Sequence, residues 1–593
     1  MTIISARIDF SSPQDRAAPR LRHAFGVPRV VLVAHEPGQV RAVLDAVQAA
    51  AEQGAWCVGY LRYEAAPAFD AALAVYAADG PLAWFAVHDA ALPWLADDSV
   101  ATARVEWLDT CPRPAFGAAM DHIQRAIAAG ELYQVNLTAP LQGAWLGAPE
   151  KSLPDDDAAP ALFAALQRAQ PGGYAAFIDA GEEQVLSVSP ELFFDWCDGS
   201  ILARPMKGTA ARGVTPDDDA AQAAALRASP KERAENVMIV DLLRNDISRI
   251  AEPFSVEVPA LFHTEALPSV WQMTSDVRAR TRAGTSLADV FGALFPCGSV
   301  TGAPKVRAMQ MIRALEAGPR GVYCGAIGVV RPGGPGQGIR ATFNVPIRTV
   351  TVRDGALRCG IGSGITSGAL PDAEWQEWRD KRKFLERASL PFDLLETLAL
   401  ENGQLRHASG HLKRLAGAAA HFGFGWSEAI VRQCLQTTAQ AHAQGLWRVR
   451  LLLDVQGRAR AEAFALDASP ARVMLQLATR ALEEAHSEFV RFKTTRRAHY
   501  DAFTPTAPDV FDTVLWNAKG EITECTRGNV AVLINGRWVT PPLSCGLLPG
   551  IGRALALREG RLVESVVRLD DLPRVQDLAF VNSLRGWLAA QMA

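Results

Sequence analysis

Phe116-Gly117-Ala118-Ala119-Met120-Asp121-His122-Ile123-Gln124-Arg125-Ala126-Ile127-Ala128-Ala129-Gly130-Glu131-Leu132-Tyr133-Gln134-Val135-Asn136-Leu137 changes its period halfway along. Up to Ile127 the large apolar residues Phe116, Met120, Ile123 and Ile127 fall at spacings of four, three and four, the stripe of an amphipathic helix. Gly130 stands where a helix ends in a left-handed residue. Beyond it Tyr133, Val135 and Leu137 alternate as a strand does. Glycine-rich turns and β-type runs, with helices between them, continue to about residue 370. The pattern predicts a large α+β domain. Residues 1 to about 100 carry fewer signals; the run Val30-Val31-Leu32-Val33-Ala34 predicts a buried strand.

A charged helical stretch, Glu374-Trp375-Gln376-Glu377-Trp378-Arg379-Asp380-Lys381, follows at 374–386, and Arg387-Ala388-Ser389-Leu390-Pro391 reads as a short linker. The style of the sequence restarts at Phe392. The expected division is therefore a first domain at 1–388, with its motif-rich core at 115–385, and a second at 392–593. A chain of 593 residues calls for two or three domains. The glycine-rich Pro332-Gly333-Gly334-Pro335-Gly336-Gln337-Gly338 predicts a surface hairpin loop.

Composition excludes several classes. Apolar residues make up 49% and charged residues 21%, ordinary for a globular protein. Lys+Arg is 60 against Asp+Glu 64, for a net charge of −4, which argues against nucleic acid as a partner. The start Met1-Thr2-Ile3-Ile4-Ser5-Ala6-Arg7 has neither the basic end nor the apolar run of a signal peptide. No stretch is long and apolar enough to span a membrane. Nine scattered cysteines without a C-x-x-C pair read as reduced thiols, pointing to the cytoplasm.

Carboxylates give the first candidate chemistry. Glu232 and Glu235 lie three apart, as do Glu374 and Glu377, so each pair shares one face of a helix. Two solvated faces would look the same; converging, the pairs would offer Mg²⁺ the oxygen ligands it prefers. Gly298-Ser299-Val300-Thr301-Gly302-Ala303-Pro304-Lys305 reads as a loop that could cradle an anion, or as a tight turn, and so does Gly360-Ile361-Gly362-Ser363-Gly364. The first lacks the G-K-[ST] ending of a Walker loop. Lys207, between Met206 and Gly208 after Ile201-Leu202-Ala203, sits where a strand is expected to end at a pocket, and burial there would free its amine as a nucleophile.

These residues also carry a resemblance. Ser189-Pro190-Glu191-Leu192-Phe193, Lys207-Gly208-Thr209, Ala234-Glu235-Asn236 through Asp241-Leu242-Leu243-Arg244-Asn245-Asp246, and Gly302-Ala303-Pro304-Lys305 resemble, in order, the motifs of the chorismate-binding enzymes. That family includes the large subunits of anthranilate and aminodeoxychorismate synthases and the isochorismate synthases. The resemblance implies that Glu235 and Glu377 bind Mg²⁺ directly, with Glu232 and Glu374 assisting through water. The metal would act as a Lewis acid on the ring carboxylate of chorismate. It implies further that Arg348 and the Gly362-Ser363-Gly364 backbone grip carboxylates, with Thr301, Gly302, Lys305 and Tyr323 nearby. Glu191 is implied as the general acid that protonates the departing C4 hydroxyl, which requires a raised pKa.

Lys207 selects a branch. Anthranilate synthases resembling this chain usually have alanine there; aminodeoxychorismate synthases have lysine. A lysine amine can attack C2 as the C4 hydroxyl leaves, after which ammonia adds at C4 and expels the lysine. Without it, ammonia adds at C2, the route to anthranilate. Two positions depart from the family: Gln272 replaces a usual histidine and cannot shuttle a proton, and Cys297 replaces a usual glycine. No glutaminase motif is visible, so the resemblance implies a separate glutamine amidotransferase subunit or free ammonia.

The second half offers Lys493, then Glu524 in Glu521-Ile522-Thr523-Glu524-Cys525-Thr526-Arg527-Gly528-Asn529, then Gly550-Ile551-Gly552 opening a helix. Pyridoxal 5'-phosphate (PLP) needs a lysine, an acidic partner for its pyridine nitrogen and a phosphate site. A helix N-terminus serves the last. A surface lysine, a solvated glutamate and an ordinary loop–helix junction are the plain alternatives. His411-Leu412-Lys413-Arg414-Leu415 lies on an amphipathic helix. Residues 392–593 resemble the class IV (fold type IV) PLP enzymes; Leu548-Pro549-Gly550-Ile551 and Asn582-Ser583-Leu584-Arg585-Gly586 resemble their aminodeoxychorismate lyase branch most. The resemblance implies Lys493 as Schiff-base lysine and proton shuttle, Glu524 at the pyridine nitrogen, and Arg414, Ile551, Gly552 and Ser583 at the phosphate. It also implies a homodimer through this half. Arg527 stands where serine is commoner.

Together the resemblances imply synthesis of 4-aminobenzoate from chorismate, feeding folate biosynthesis. The rivals are an anthranilate synthase, a synthase whose second half is inactive or a transaminase, and a non-catalytic chorismate- or PLP-binding regulator. Lys207 argues against the first; Lys493 with Glu524 argues against the others.

Overall fold

In the computed structural model, residues 4–15, 18–94, 103–146, 158–213, 216–266, 270–334 and 336–593 are described. The chain divides into two compact units, Met1–Pro391 and Phe392–Ala593.

The first unit is built on two sheets, each of ten strands. One runs from the edge pair Gly302–Ala303 through Gln134–Trp145, Ala356–Ile365, Thr349–Arg353, Glu183–Ser189 and Tyr174–Asp179 to Ala6–Phe10 and beyond. The other runs from Met206–Ala211 through Val270–Arg280, Ser200–Arg204, Leu192–Cys197, Ile339–Asn344 and Ala326–Pro332 to Trp56–Leu61, Ala83–His88 and Val30–Ala34. Ile8, Phe10, Tyr174 and Ile178 of the first pack against Val58, Tyr60, Trp84 and Ile327 of the second. Each outer face is covered by helices. Pro37–Glu52, Pro230–Ser248 and Leu287–Leu294 join Phe194 and Phe343 over the second sheet. Arg113–Ala128, Ala158–Ala169 and Pro371–Ser389 join Phe177 and Val350 over the first. The layers run helix, sheet, sheet, helix.

Three expectations are corrected. Val30–Ala34 is an edge strand with Val30, Val31 and Val33 exposed, not a buried one. An apolar run is the same in either place; only the number of neighbouring strands differs. Gly360–Gly364 is no loop but lies inside strand Ala356–Ile365. Arg387, Ala388 and Ser389, expected in the linker, are the last turn of helix Pro371–Ser389. The 332–338 segment does connect two paired strands, Ala326–Pro332 and Ile339–Asn344; Pro335 within it lies outside the described residues.

Local chemistry sets the helix that matters most. Pro230 occupies the first turn of Pro230–Ser248, and the Ser229 side chain accepts from the Glu232 backbone N–H at 3.4 Å. That cap fixes Glu232 in the first turn and Glu235 on the same face behind it.

The second unit has a four-stranded sheet, Gln404–Leu405, Leu394–Glu401, Leu446–Leu453 and Ala459–Ala465, packed under helices Ala408–Phe422 and Glu428–Ala441. Its eight-stranded sheet mixes parallel and antiparallel pairs, with Asn529–Ile534, Asp577–Asn582 and Gly586–Met592 adjoining. Lys493 is fastened to the smaller sheet: its carbonyl accepts from the Leu395 N–H at 3.0 Å, and Thr494 bridges Leu394.

Two candidate active sites

In the first unit the site grows from strand Ala356–Ile365. Gly360, Gly362 and Gly364 alternate along it and so share one face. Each lacks a Cβ because something else occupies the place. A Cβ on Gly360 would lie 2.3 Å from the Tyr323 ring, one on Gly362 2.5 Å from the Leu137 carbonyl, and one on Gly364 2.4 Å from Lys207 Nζ. Glycine weakens a strand in general; here it makes a flat floor between Tyr323 and Lys207. Ser363 points to the other face, where its hydroxyl accepts from Trp378 Nε1 at 3.0 Å, so only its backbone is left for a ligand. Gly364→Ala should leave the fold intact, since the groups that must move are the ends of two side chains, Lys207 Nζ at 2.4 Å and Gln134 Nε2 at 2.9 Å, and not backbone. It should slow any reaction of that amine roughly 10- to 100-fold, the order of loss that follows a misplacement of about 1 Å. Unchanged turnover in a folded variant would contradict this placement.

Lys207 stands on strand Met206–Ala211 with its side chain 15% exposed and Nζ 3.7 Å from Glu235 Oε2. Gln272 secures this strand: its Nε2 donates to the Gly208 carbonyl at 2.8 Å and its Oε1 accepts from Thr209 Oγ1 at 3.1 Å. Glu191 is buried, with Oε1 unpartnered among the described residues. Burial lifts its carboxyl to about 7, against the opposing pull of Ser299 and of Lys207. Cys297 is buried against Ser299 and its thiol is pushed up to about 12, so it is inert.

The four glutamates share one region. Burial raises Glu232, and the charges of Glu235 and Glu377 raise it further. Burial and Glu377 raise Glu374, whose Oε2 is buried and unpartnered. Glu377 pairs with Lys381 at 2.7 Å, and Glu235 accepts from Thr366 Oγ1 at 3.3 Å. Among the described residues no three His, Cys, Asp or Glu groups stand at metal-holding spacing. The helices bring the carboxylates together, while Lys207 and Lys381 draw Glu235 and Glu377 towards themselves.

Other expected ligands are engaged inside the protein. Lys305 Nζ bonds Asp246 at 2.9 Å and the Leu294 carbonyl at 3.2 Å. Thr301 is fully buried, its hydroxyl donating to the Cys297 carbonyl at 3.1 Å. Gly302, at φ +142°, lets the chain pass the Gln134 carbonyl, where a Cβ would come within 2.1 Å. The 298–305 segment is thus a short helical turn, an edge pair and a helix start, the tight-turn reading of the two. Arg348 donates to Gln170 and has no carboxylate in ion-pair range among the described residues. Burial, with Arg387 nearby, brings its guanidinium down to about 10. A recessed cation without a counter-ion suits a carboxylate ligand. A cavity of about 710 Å³ adjoins the glycine floor only at the Tyr323 end, and neither Lys207 nor Glu191 lines it.

In the second unit, Lys493 is the centre. Burial lowers its amine to about 7, helped by Arg497 and Arg414. Glu524 is buried and raised to about 8 by that burial, although the Tyr500 hydroxyl (2.6 Å) and the Leu548 N–H (3.1 Å) both donate to it. A further cation opposite, such as a protonated pyridine nitrogen, would bring it down. Arg414 is clamped by Glu396, at 2.8 and 2.7 Å, and donates to the Pro549 carbonyl at 3.0 Å, beside the start of helix Ile551–Arg558. Gly552 lies against the Asn582 backbone, where a Cβ would meet Asn582 at 2.6 Å, so the turn carrying Ser583 abuts that helix start. Two N–H groups at a helix start, a guanidinium and a hydroxyl are the donor types that a phosphate takes. The donor set fits PLP.

Sequence reasoning missed Glu396 and His411 as site residues. Burial would raise Glu396, but Arg414 and His411 overcome it and bring the carboxyl to about 2. His411 Nδ1 lies 2.6 Å from Glu396. Both were visible only as members of apolar runs.

Residues 93–387 match the chorismate binding enzyme family and residues 393–591 the amino-transferase class IV family. Aminodeoxychorismate synthase component 1 of Klebsiella aerogenes is 41% identical over 300 residues, 51% of this chain and 62% of that protein. Aminodeoxychorismate synthase of Streptomyces griseus is 43% identical over 260 residues, 44% of this chain and 34% of that protein. The chain thus spans less than two thirds of these relatives. Anthranilate synthase component 1 of Aquifex aeolicus is 34% identical over 282 residues, 48% of this chain and 54% of that protein. Among solved structures, the menaquinone-specific isochorismate synthase of Escherichia coli shares the fold at a TM-score of 0.52 and 17% identity, over 66% of this chain and 89% of that one.

Proposed function

From the match of residues 93–387 to the chorismate binding enzymes and of residues 393–591 to the class IV amino-transferases, we propose that the chain converts chorismate to 4-aminobenzoate in two steps, one in each unit. The observation that carries this reading is Lys207: an amine at the end of the glycine floor, beside Glu235, with the buried acid Glu191 within its electrostatic reach.

In the first step the neutral Lys207 amine attacks C2 of chorismate. The ring double bonds shift, the C4–O bond breaks, and Glu191 gives its proton to the leaving hydroxyl, which departs as water. Ammonia then adds at C4, the double bonds shift back, and the C2–N bond to Lys207 breaks. Glu191 takes the surplus proton from the new amine. Glu235 and Glu377 would hold Mg²⁺ directly, and Glu232 and Glu374 through water; the unpartnered Glu374 oxygen and the mutual repulsion of the carboxylates suit such an ion. The ion would neutralise the ring carboxylate of the substrate. Arg348 and the Gly362-Ser363-Gly364 backbone would hold carboxylate oxygens. Ammonia would come from a separate glutaminase subunit, as the name component 1 of the relatives suggests, or free from solution.

In the second step Lys493 removes the C4 proton of the aminated ring acid. The C3–O bond breaks, the ring becomes aromatic, and the enolpyruvyl fragment takes up a proton at its methylene and leaves as pyruvate. PLP, held by Arg414, Ile551, Gly552 and Ser583 with Glu524 at its ring nitrogen, would supply the electron sink. Nine free cysteines favour a reducing compartment such as the cytoplasm.

The pH profile tests the first step. Glu191 must be protonated to act, so with a carboxyl near 7 the amination rate should fall about tenfold per pH unit above that value. Glu191→Gln should slow amination about 10²- to 10⁴-fold and abolish the alkaline limb. An unchanged limb in the variant would remove Glu191 from the role.

A further inference from the structure

Gln134 begins strand Gln134–Trp145 and is fully buried, yet neither its Oε1 nor its Nε2 has a partner among the described residues. An amide offers two donors and one acceptor. Leaving all of them buried and unpaired is costly, and buried polar groups in folded proteins are seldom left so. The backbone cannot turn away: Gln134 pairs with Ala303, and its carbonyl is the atom that Gly302 must be glycine to pass. The side chain ends beside Lys207. The vacant Cβ position of Gly364 is 2.4 Å from Lys207 Nζ and 2.9 Å from Gln134 Nε2, so the two nitrogens are neighbours across that glycine.

We propose that Gln134 is the positioning residue for the Lys207 amine and a donor to the bound ring acid. The role rests on the reading of Lys207 given above. Half a turn of the amide puts Oε1 where Nε2 lies, facing Nζ. There it accepts one N–H of the neutral amine and aims the nitrogen lone pair at C2. The N–H groups of the amide, turned the other way, donate to the oxygens of the substrate; among the described residues they have no acceptor. The hydrogen bond changes no bond order; the covalent step remains the attack at C2 with loss of the C4 hydroxyl as water. In the structure Nζ lies 3.7 Å from Glu235 Oε2; Gln134 takes over as Lys207 turns to the ring.

The test is Gln134→Met, which keeps length and removes every hydrogen bond, made in the wild-type and the Lys207→Ala background. Chorismate consumption and the 4-amino and 2-amino products are followed with ammonium and Mg²⁺, together with chorismate binding and melting temperature. The expected result is a folded variant that binds chorismate within about tenfold of wild type, the loss of one hydrogen bond, and forms the 4-amino product roughly 10- to 100-fold more slowly at saturating chorismate. In the Lys207→Ala background the same change should have no further effect. An equal loss in both backgrounds would overturn the proposal, because a merely structural residue acts without Lys207. So would a wild-type rate in Gln134→Met. If the methionine variant does not fold, Gln134→Glu keeps shape and acceptor and should stay within about tenfold of wild type; a larger loss overturns the proposal. Wild-type 4-amination by Lys207→Ala alone would overturn the reading of Lys207, and Gln134 with it.

Discussion

Lys207→Ala is expected to lower formation of the 4-aminated ring acid by at least about 10³-fold, because it removes the nucleophile itself and not a contact that assists it. Chorismate should still bind, since no carboxylate-holding group is altered. Residual turnover with high ammonium should shift to the product aminated at C2, where ammonia would then attack directly. The fold should hold: the side chain is 15% exposed and its ion pair among the described residues, to Glu235, is 3.7 Å long. The second unit should process supplied 4-amino-4-deoxychorismate at the wild-type rate. Product analysis with melting temperature as control checks each part. Retention of the C4 product would mean that the lysine is only a counter-ion for Glu235.

Lys493→Ala is expected to have the complementary effect. Pyruvate release should fall about 10²- to 10⁴-fold, the range lost with a positioned proton-transfer group, while amination at C4 continues and its product accumulates. The absorbance of PLP joined to the protein should disappear. Glu396→Gln offers a milder comparison. It loosens Arg414, which Glu396 grips through two hydrogen bonds, so PLP affinity should weaken while proton transfer by bound cofactor is spared.

Much of this was legible from residue order. The helix around Phe116, the turn at Gly130 and the strand beyond it came from periodicity alone, and they form as helix Arg113–Ala128 and strand Gln134–Trp145. The glycines at 360, 362 and 364 misled, because glycine signals a turn unless one knows what crosses the strand; Tyr323 and Lys207 approach from distant segments. Val30–Ala34 misled for a related reason, since an apolar run does not tell how many strands flank it. Spacing offered the glutamate pairs but not how near they come, which depends on how helices Pro230–Ser248 and Pro371–Ser389 are carried by the sheets; they feel one another's charge, and among the described residues they do not stand at metal-holding spacing. Lys305 and Thr301 were expected near the substrate from the family resemblance; in the fold, Asp246 and the Cys297 carbonyl engage them. Gln134 left no mark at all. It is polar in a strand whose neighbours alternate, and only its complete burial without partners singles it out.

The most direct measurement is the identity of the aromatic product formed from chorismate. Protein loaded with PLP would be incubated with chorismate, Mg²⁺ and ammonium, and the products resolved by chromatography and mass. Equal amounts of 4-aminobenzoate and pyruvate are expected, with the aminated intermediate appearing when PLP is withheld. Anthranilate as the main product would contradict the assignment of Lys207 and the two-step conversion built on it.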